Sequence, residues 1–408
     1  MDYGLAPQRS IFLERNCPTD IEELCVFLEQ RTAFPKGLSG LRYFCTRHPE
    51  FIAEILPFLW QQAQEFVDIP APIHAERSIR ITQRDALRIL VHSFFCSFER
   101  DSYHWDEYPS INMDRLFSSA EPLLYGKICM IHQYFSKQKK RWEQGDALER
   151  ELIFLLQNKG LFLRDWKEST KPLQLFTVHP LGQSIDDAKD CFRVDFANQY
   201  LGGAALSHGC VQEEIMFMLL PELNAGRLFC ARMRDEETIV MQGAEQFSLP
   251  KGYGWSFENG GTYDDPTPIV HNMLQSHIVA MDAVDYRYDF PSEQYTEAHI
   301  LRDLNKAYSG FATEGAPHRI ATGNWGCGVF LGDASFKALL QWASAAQAGC
   351  CIEYFPFDHQ EIAIKYPALT KSIYEQGVTV GQIVRFLCSI DPKESVVSQL
   401  QKWIETPF

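Results

Sequence analysis

Two adjacent glutamates near the start of a buried helix are the residues of this sequence best suited to acid–base chemistry. Glu213 and Glu214 follow Gln212 and precede the apolar run 215–220, so the helix that they begin is expected to be buried. Two acids at a helix start can simply complement the helix dipole. Carboxylates that enter a buried helix are costly unless they are paired or used, however. The pattern therefore favours a catalytic pair over that electrostatic interpretation.

The two carboxylates cannot point along one line, because consecutive helix positions lie roughly 100° apart around the axis. One can face a scissile bond while the other holds a substrate hydroxyl. This arrangement differs from the usual glycosidase pair, whose carboxylates flank the sugar from opposite sides.

A glycine loop precedes these acids and follows a predicted strand that leads into Asn198. Gly202 and Gly203 allow the backbone to approach a ligand closely, and Ala204 adds little bulk. A loop ahead of a helix start is expected to present free N–H groups, which suit a phosphate or diphosphate. A tight strand-to-helix turn is the plain alternative.

Two further glycine-containing segments have the composition of ligand loops. Residues 322–330 contain three glycines and precede a helix predicted near Asp333, so they could hold a second phosphate. Cys327 within them could act as a nucleophile, although no histidine is clearly placed to activate it. Tyr253 lies between glycines and is expected either to stack on a base or to plug its own loop.

Helices and strands that would position these residues divide the chain into two parts. The first part has helical spacing, and Thr82 with Asp85 predicts an N-terminal cap for one helix. The predicted helices of this part are 20–31, 48–67, 82–98 and 146–157. The second part, which holds most of the 25 glycines, alternates predicted strands with predicted helices. The strands are 192–197, 228–232, 238–241, 278–283 and 351–357, and the helices are 211–220, 296–309, 334–348, 379–389 and 392–404. We therefore predict a helical domain at 1–168 and an α/β domain with a mixed or parallel sheet at 169–408.

Composition excludes several classes of function. The 408 residues include 38 Lys and Arg against 53 Asp and Glu, and the net charge of −15 argues against direct binding of DNA through a broad basic surface. The 12 cysteines are scattered and never at CxxC spacing, which predicts reduced thiols and no structural zinc site. The first residues show no secretory signal, and no apolar stretch is long enough to span a bilayer.

The order of the motifs resembles the poly(ADP-ribose) glycohydrolase family. The family's glycine triplet followed by QEE corresponds to Gly202-Gly203-Ala204, seven further residues and Gln212-Glu213-Glu214. Similar segments occur in the same order along most of the chain from about residue 50 onward. They are FFC (94–96), YPSIN (108–112), VDFAN (194–198), LNKAY (304–308), ATGNWGCG (321–328) and YFPF (354–357).

The resemblance implies a macrodomain-like, three-layer α/β domain with a mixed sheet, preceded by an all-α accessory domain. It implies that Glu214 is the catalytic acid and that Glu213 binds the ribose hydroxyls. Asn198 would orient the catalytic glutamate, and Asp195 would support the end of the strand. Ala204 departs from the family's third glycine, so we expect altered affinity but retained activity.

The remaining substrate contacts are also implied by the resemblance. Tyr253 and Phe357 would enclose the adenine, and Ile185, Asp186 and Gln212 would contact the adenosine end. The diphosphate would lie against Gly202, Gly203 and Ala204 and against a second group formed by Asn324, Gly326, Cys327, Gly328 and Phe330.

The implied activity is hydrolysis of ribose–ribose O-glycosidic bonds in poly(ADP-ribose), mainly from the chain end, without a cofactor or a metal. Partners would be the polymer and ADP-ribosylated proteins in the response to DNA damage, in the nucleus or cytoplasm, and we expect a monomer that binds no membrane. Two alternatives remain open. One is a non-catalytic ADP-ribose-binding macrodomain, and the other is an unrelated hydrolase that uses Cys327.

Overall fold

The computed structural model describes residues 6–32, 37–99, 107–188, 190–288 and 290–405. Its α-helices are, in chain order, α1 (Ser10–Glu14), α2 (Ile21–Glu29), α3 (Ser39–Arg47), α4 (Leu56–Gln64), α5 (Ile73–Glu76), α6 (Gln83–Phe94), α7 (Pro122–Glu143), α8 (Leu163–Glu168), α9 (Gln212–Leu219), α10 (Glu297–Phe311), α11 (Ala334–Ala348), α12 (Gln360–Glu375), α13 (Val380–Leu387) and α14 (Val396–Ile404). None of these described helices has both the length and the apolar character needed to span a membrane.

The strands form one large mixed sheet and one hairpin. They are β1 (Ser78–Thr82), β2 (Glu151–Asn158), β3 (Phe176–Val178), β4 (Phe192–Asp195), β5 (Glu237–Gly243), β6 (Ser248–Lys251), β7 (Glu258–Thr262), β8 (Ile269–Val270), β9 (Met273–Ala280), β10 (Arg319–Gly323) and β11 (Cys351–Phe355). The large sheet has the order β1-β2-β5-β9-β4-β10-β11-β3, with β8 paired to β9, and β6 pairs with β7. Strands β4, β10, β11 and β3 are mutually parallel, whereas β1 and β2 are antiparallel. The predicted mixed sheet is therefore confirmed.

Two compact units can be recognised in the chain. The first comprises Met1–Leu155, Tyr200–Arg232 and Met241–Ser276, and the second comprises Leu156–Gln199, Met233–Val240 and His277–Phe408. The domain boundary predicted between residues 168 and 169 remains a prediction.

Aromatic packing forms much of the core of the first unit. The rings of Phe12, Phe27, Trp60 and Phe95 contact one another at centroid distances of 5.0–5.9 Å. Helix α6 begins with the reciprocal bonds that the sequence predicts, since the Asp85 amide donates to the Thr82 hydroxyl and the Thr82 amide donates to the Asp85 carboxylate.

Buried ion pairs hold helix α10 of the second unit, one to helix α11 and one to the chain after strand β9. Lys337 on α11 pairs with Asp303 on α10, and both side chains are buried. One turn further along α10, the Lys306 ammonium lies 2.6 Å from the carboxylate of Asp282. These pairs satisfy charges inside a helix layer in which nearly every residue of α11 is buried.

Two secondary-structure predictions are wrong, and both concern apolar runs. Residues 146–157 do not form a helix, because the run from Glu151 is buried on both faces and pairs with β1 as strand β2. An apolar run of this length does not distinguish a buried strand from a buried helix. Residues 228–232 do not form a strand, because the amides of Phe229 and Cys230 bond the carbonyl of Gly226 at the end of a 3₁₀ helix.

Candidate active site

The two glutamates lie where the sequence analysis places them, in the first turn of α9. Glu213 is 2% exposed and Glu214 is 8% exposed, so both carboxylates are removed from bulk water. The helix begins after Val211, whose amide donates to Glu214 Oε2 at 3.1 Å. This bond satisfies one of the amides that a helix start leaves without an intrahelical partner.

The amides of the glycine loop are bonded to these same carboxylates. The Gly202 amide donates to Glu213 Oε1 at 2.7 Å, and the Ala204 amide donates to Glu214 Oε1 at 3.1 Å. The Gly203 amide bonds the carbonyl of the residue three positions earlier, at 2.9 Å. The expectation of free N–H groups in this loop is therefore wrong for the structure described, because the buried carboxylates need donors and the amides are the nearest ones.

Two buried cationic side chains donate hydrogen bonds to the carbonyls of the same loop. Lys127 on α7 donates its Nζ to the carbonyls of Ala205 at 2.7 Å, Ser207 at 2.7 Å and Gly209 at 2.5 Å. Burial lowers the pKa of Lys127 to about 7, whereas the nearby Glu214 carboxylate acts to raise it. Three carbonyl acceptors match the three donors of an ammonium group, which favours the charged form in this position.

Arg227 is the second cation, and it binds the first half of the loop. Its guanidinium donates to the carbonyls of Leu201 at 3.0 Å and Gly203 at 3.1 Å. Burial lowers the pKa of Arg227 to about 10, and the carboxylates of Glu213 and Glu214 oppose that fall. The loop is thus held by cations on its carbonyls and by carboxylates on its amides.

The glycines are required by close approach as well as by backbone angles. Gly202 and Gly203 have φ values of +79° and +46°. A Cβ on Gly203 would lie 2.6 Å from an oxygen of Glu214, and a Cβ on Gly209 would lie 2.5 Å from Cγ of the same residue. Ala204 is not among the residues with positive φ, so the methyl group that replaces the third glycine causes no backbone strain.

Tyr253 lies in a loop that is joined to the start of α9. The amide of Gly254 donates to the carbonyl of Cys210 at 3.0 Å. The turn itself is closed by Ser256, whose hydroxyl donates to the Tyr253 carbonyl at 2.8 Å. Tyr253 is 42% exposed, which disfavours a ring that is buried as a plug of its own loop.

In the second unit, several predicted residues follow neighbouring parallel strands. Asp195 ends β4 and is buried, and Asn198 follows it within three residues. Asn324 follows β10 and connects the loops after β10 and β11, because its amide donates to the Pro356 carbonyl at 2.9 Å and its oxygen accepts from Tyr354 at 2.9 Å. The carboxyl ends of parallel strands share one edge of a sheet, where ligands commonly bind.

The loop after Asn324 is a tight structure with an exposed tip. Gly326 has a φ of +73°, and a Cβ there would lie 2.5 Å from Ala283. Gly328 has open space around it, and the carbonyl of Phe330 accepts from the Tyr286 amide at 3.1 Å. Burial raises the pKa of Cys327 to about 12, and its thiol donates to a backbone carbonyl at 3.3 Å, which disfavours a nucleophilic thiolate.

The remaining predicted residues have contrasting environments. Phe357 follows β11 with a φ of +57° and is 47% exposed, a left-handed conformation that costs on the order of 1–3 kcal/mol for a non-glycine residue. Ile185 belongs to a small core with Cys191 and Phe355. Asp186 lies beside it in the 3₁₀ helix Ile185–Asp187, where its amide donates to the hydroxyl of the capping Ser184 at 3.2 Å.

Sequence reasoning missed Lys127, Arg227 and Gly209, which hold the loop or make room for the acid. Lys127 and Arg227 each have a signal that is visible after the fact. Lys127 interrupts an apolar stretch of α7, and Arg227 lies in the buried segment 220–231. A charge that interrupts an apolar segment indicates a buried partner, although the sequence alone does not identify that partner.

Replacing Lys127 by Met should destabilise the protein. The apolar side chain leaves three carbonyls without their donor, and we expect a loss of about 1–3 kcal/mol in the free energy of unfolding. Urea denaturation followed by fluorescence measures this loss. The matched control is Lys139→Met on the same helix, where a surface pair with Glu143 is removed and a change below about 0.5 kcal/mol is expected. Equal stabilities of the two variants would contradict the role of Lys127.

Two family models match the chain. The helical domain of poly(ADP-ribose) glycohydrolase matches residues 43–150, and the macro domain fold of the same family matches residues 163–364. The predicted macrodomain-like fold with a preceding helical domain is thereby confirmed. A solved poly(ADP-ribose) glycohydrolase from Deinococcus radiodurans in complex with ADP-ribose covers 55% of this chain and 93% of its own, at 14% identity and a TM-score of 0.32. That overlap is low, and the fold assignment rests on the family models.

Curated relatives give the same family. Poly(ADP-ribose) glycohydrolase 1 of Arabidopsis thaliana is 32% identical in an alignment that covers 72% of this chain and 66% of the relative. Poly(ADP-ribose) glycohydrolase 1 of Caenorhabditis elegans is 32% identical over 66% of this chain and 36% of its own length. The probable poly(ADP-ribose) glycohydrolase 2 of Arabidopsis thaliana is 30% identical over 75% of this chain and 67% of its own. The chain therefore belongs to the poly(ADP-ribose) glycohydrolase family.

Proposed function

We propose that this protein hydrolyses the ribose–ribose O-glycosidic bonds of poly(ADP-ribose) and releases ADP-ribose. The observation that carries the proposal is the pair of buried carboxylates of Glu213 and Glu214, both held by backbone amides at the start of α9. They occupy the place of the family's QEE motif in a chain that belongs to that family. Such fixed, dehydrated acids suit proton transfer to a sugar oxygen.

Glu214 is proposed as the general acid and base. A ribose hydroxyl is a poor leaving group, so Glu214 donates a proton to the glycosidic oxygen as the bond to the anomeric carbon breaks. The positive charge that develops on that carbon is stabilised by the substrate's own diphosphate. The ionised Glu214 then takes a proton from the attacking water, which restores the acid. A carboxyl group can accept the two observed amide bonds and still carry this proton, since each oxygen has two lone pairs.

The other residues of the motif bind and orient. Glu213 is proposed to hold ribose hydroxyls, and Asn198 is proposed to orient the catalytic glutamate, with Asp195 supporting the strand end that precedes it. Gln212 and Asp186, with Ile185 beside it, are proposed to contact the adenosine end. Burial of Ile185 in a small core supports a role as a fixed wall for a ligand.

Diphosphate binding is proposed to depend mainly on the second loop, at Asn324, Gly326, Cys327, Gly328 and Phe330. The amides of Gly202 and Ala204 already donate to the carboxylates of Glu213 and Glu214, so a phosphate at either amide must displace a carboxylate. The exposed glycine at the tip of the second loop offers backbone without a side chain in the way. Tyr253 and Phe357 are proposed to stack on adenine, which their partial exposure supports.

Cleavage is proposed to start mainly from the end of the polymer. A protein with a net charge of −15 is poorly suited to holding a long polyanion along its surface. It is better suited to binding one terminal ADP-ribose unit through backbone and aromatic contacts. Action on ADP-ribosylated proteins in the nucleus or cytoplasm, as a monomer without DNA binding, remains part of this proposal.

Two competing functions predict different results for polymer hydrolysis by the wild type and by a Cys327 variant. A non-catalytic binder of ADP-ribose would leave automodified polymer intact when the purified protein is added. A thiol hydrolase would lose activity in Cys327→Ala, a result that the raised pKa of Cys327 disfavours. Release of free ADP-ribose by wild type and by Cys327→Ala would support the glutamate mechanism over both alternatives.

Replacing Glu214 by Gln should abolish turnover while ADP-ribose still binds. The amide keeps the shape of the side chain but cannot donate and recover the proton, so the rate should fall by about 10²-fold or more. Release of ADP-ribose from automodified polymer measures the rate, and calorimetric titration with ADP-ribose measures binding. Asn198→Ala should lower the rate less steeply, because that residue acts only through the glutamate.

The control for this pair is Glu361→Gln, which removes only a helix surface pair with Lys365. It should leave the rate unchanged. A folded Glu214→Gln protein with near wild-type turnover would overturn the assignment of the acid. A harmless Asn198→Ala change would overturn the orienting role alone.

Tyr253→Ala should weaken ADP-ribose binding by roughly 1–3 kcal/mol if the ring stacks on adenine. Tyr253→Phe should retain most of the affinity, because the aromatic face survives. Calorimetric titration of both variants, with a thermal melt of each alone, separates binding from stability. If the alanine variant melts earlier but binds ADP-ribose normally, Tyr253 only plugs its loop.

A further inference from the structure

Two histidines and a glutamate meet on the helical side of the first unit, among residues that the proposed function does not use. They are His48 at the end of α3, Glu50 two residues later and His132 on α7. One potential ligand atom from each of the three lies within 4.8 Å of the others, and this trio alone among the described residues forms such a group. We propose that it is a binding site for a divalent transition-metal ion such as Zn²⁺.

The spacing of one pair of donors is close to that of two ligands on one ion. His48 Nδ1 lies 3.0 Å from Glu50 Oε1. Two ligands at about 2.0–2.1 Å from a tetrahedral Zn²⁺ lie about 3.3–3.4 Å apart. The third donor, from His132, lies within 4.8 Å of the other two, so it has to move inward by about 1.4 Å at most to reach that separation.

The other nitrogen of His48 already has a partner that suits a ligand histidine. His48 Nε2 lies 3.2 Å from the Tyr125 hydroxyl. Ligand histidines usually donate their second N–H to a fixed acceptor, which selects the tautomer with a free lone pair toward the metal. Without an ion, the Glu50 carboxylate can only accept, so Nδ1 carries the proton and the Tyr125 hydroxyl donates to Nε2. An ion bound at Nδ1, on the side where Glu50 lies, displaces that proton, and the Tyr125 hydroxyl then accepts from Nε2–H.

Aromatic packing restricts both histidine rings. Phe44 stacks on His48 at a centroid distance of 4.6 Å, and it contacts His132 edge-on at 5.3 Å. Phe51 contacts His132 at 5.8 Å. Rings held in this way lose little side-chain entropy when they bind an ion, since they are already ordered.

The donor set indicates the class of ion. Imidazole nitrogens suit zinc, copper, nickel and iron, whereas calcium and magnesium prefer oxygen ligands. Two histidines and one carboxylate leave a fourth position for water, and the partial exposure of Glu50 gives solvent access to that position. The ion would join the turn after α3 to α7, the helix that carries Lys127 elsewhere along its length.

Isothermal titration of the full chain with ZnCl₂, after treatment with a chelator, tests the site. Wild type should bind one equivalent that Glu50→Gln and His132→Ala lose, and Zn²⁺ should raise the melting temperature of wild type only. Tyr125→Phe should keep the stoichiometry but weaken affinity by about 10–100-fold, the cost of losing an outer partner of a ligand histidine. The matched control is the exposed His318→Ala, which should bind Zn²⁺ like wild type.

The variants also remain informative if His132→Ala folds poorly. The Glu50 side chain is 47% exposed, so Glu50→Gln should fold normally and test the ligand set on its own. The proposal is overturned if wild type takes up no zinc, or if Glu50→Gln binds it with wild-type affinity and stoichiometry. Polymer hydrolysis by Glu50→Gln should equal that of wild type, so a failure of the proposed enzyme activity would leave the metal result intact.

Discussion

Buried charge on both sides of one glycine loop is the constraint on which the candidate catalytic residues depend. The loop's amides face Glu213 and Glu214, and its carbonyls face Lys127 and Arg227. Neither pair of charges could be buried alone without a large desolvation cost. The peptide groups of the loop are hydrogen-bonded on both sides. The loop therefore supplies polar partners to two carboxylates and to two cationic side chains. The acids are thereby kept in an environment that is largely removed from bulk water.

This constraint explains which positions of the loop must lack a side chain. Gly203 lies against both carboxylates, and Gly209 lies against the stem of Glu214. A methyl group at either position would push the acid away from the amide that holds it. Ala204 is tolerated, because it has an ordinary φ and its amide still reaches Glu214. A methyl group is therefore excluded at Gly203 but tolerated at Ala204 because the two positions differ in backbone conformation and in distance to the carboxylates.

The sequence predicts the local features better than the long-range ones. The Thr82–Asp85 cap, the start of α9 and most helices of the second unit follow from spacing within a few residues, and they are confirmed. Strand β2 was not predictable in this way, because a run buried on both faces has no helical or strand periodicity. Lys127 lies far along the chain from the carbonyls that it binds, and no local pattern encodes that pairing. No local pattern encodes the proximity of His48 and His132 either.

One peptide group links the proposed adenine platform to the proposed acid. The carbonyl of Cys210 accepts from Gly254 beside Tyr253, and the amide of the same peptide, on Val211, donates to Glu214. Hydrogen bonds in series polarise one another, and a rotation of this peptide plane changes both at once. The position of the Tyr253 loop and the orientation of Glu214 therefore depend on the same peptide plane. In the proposed binding mode, that plane joins a contact at the adenosine end to the acid at the glycosidic bond, where contacts that improve only in the transition state raise the rate.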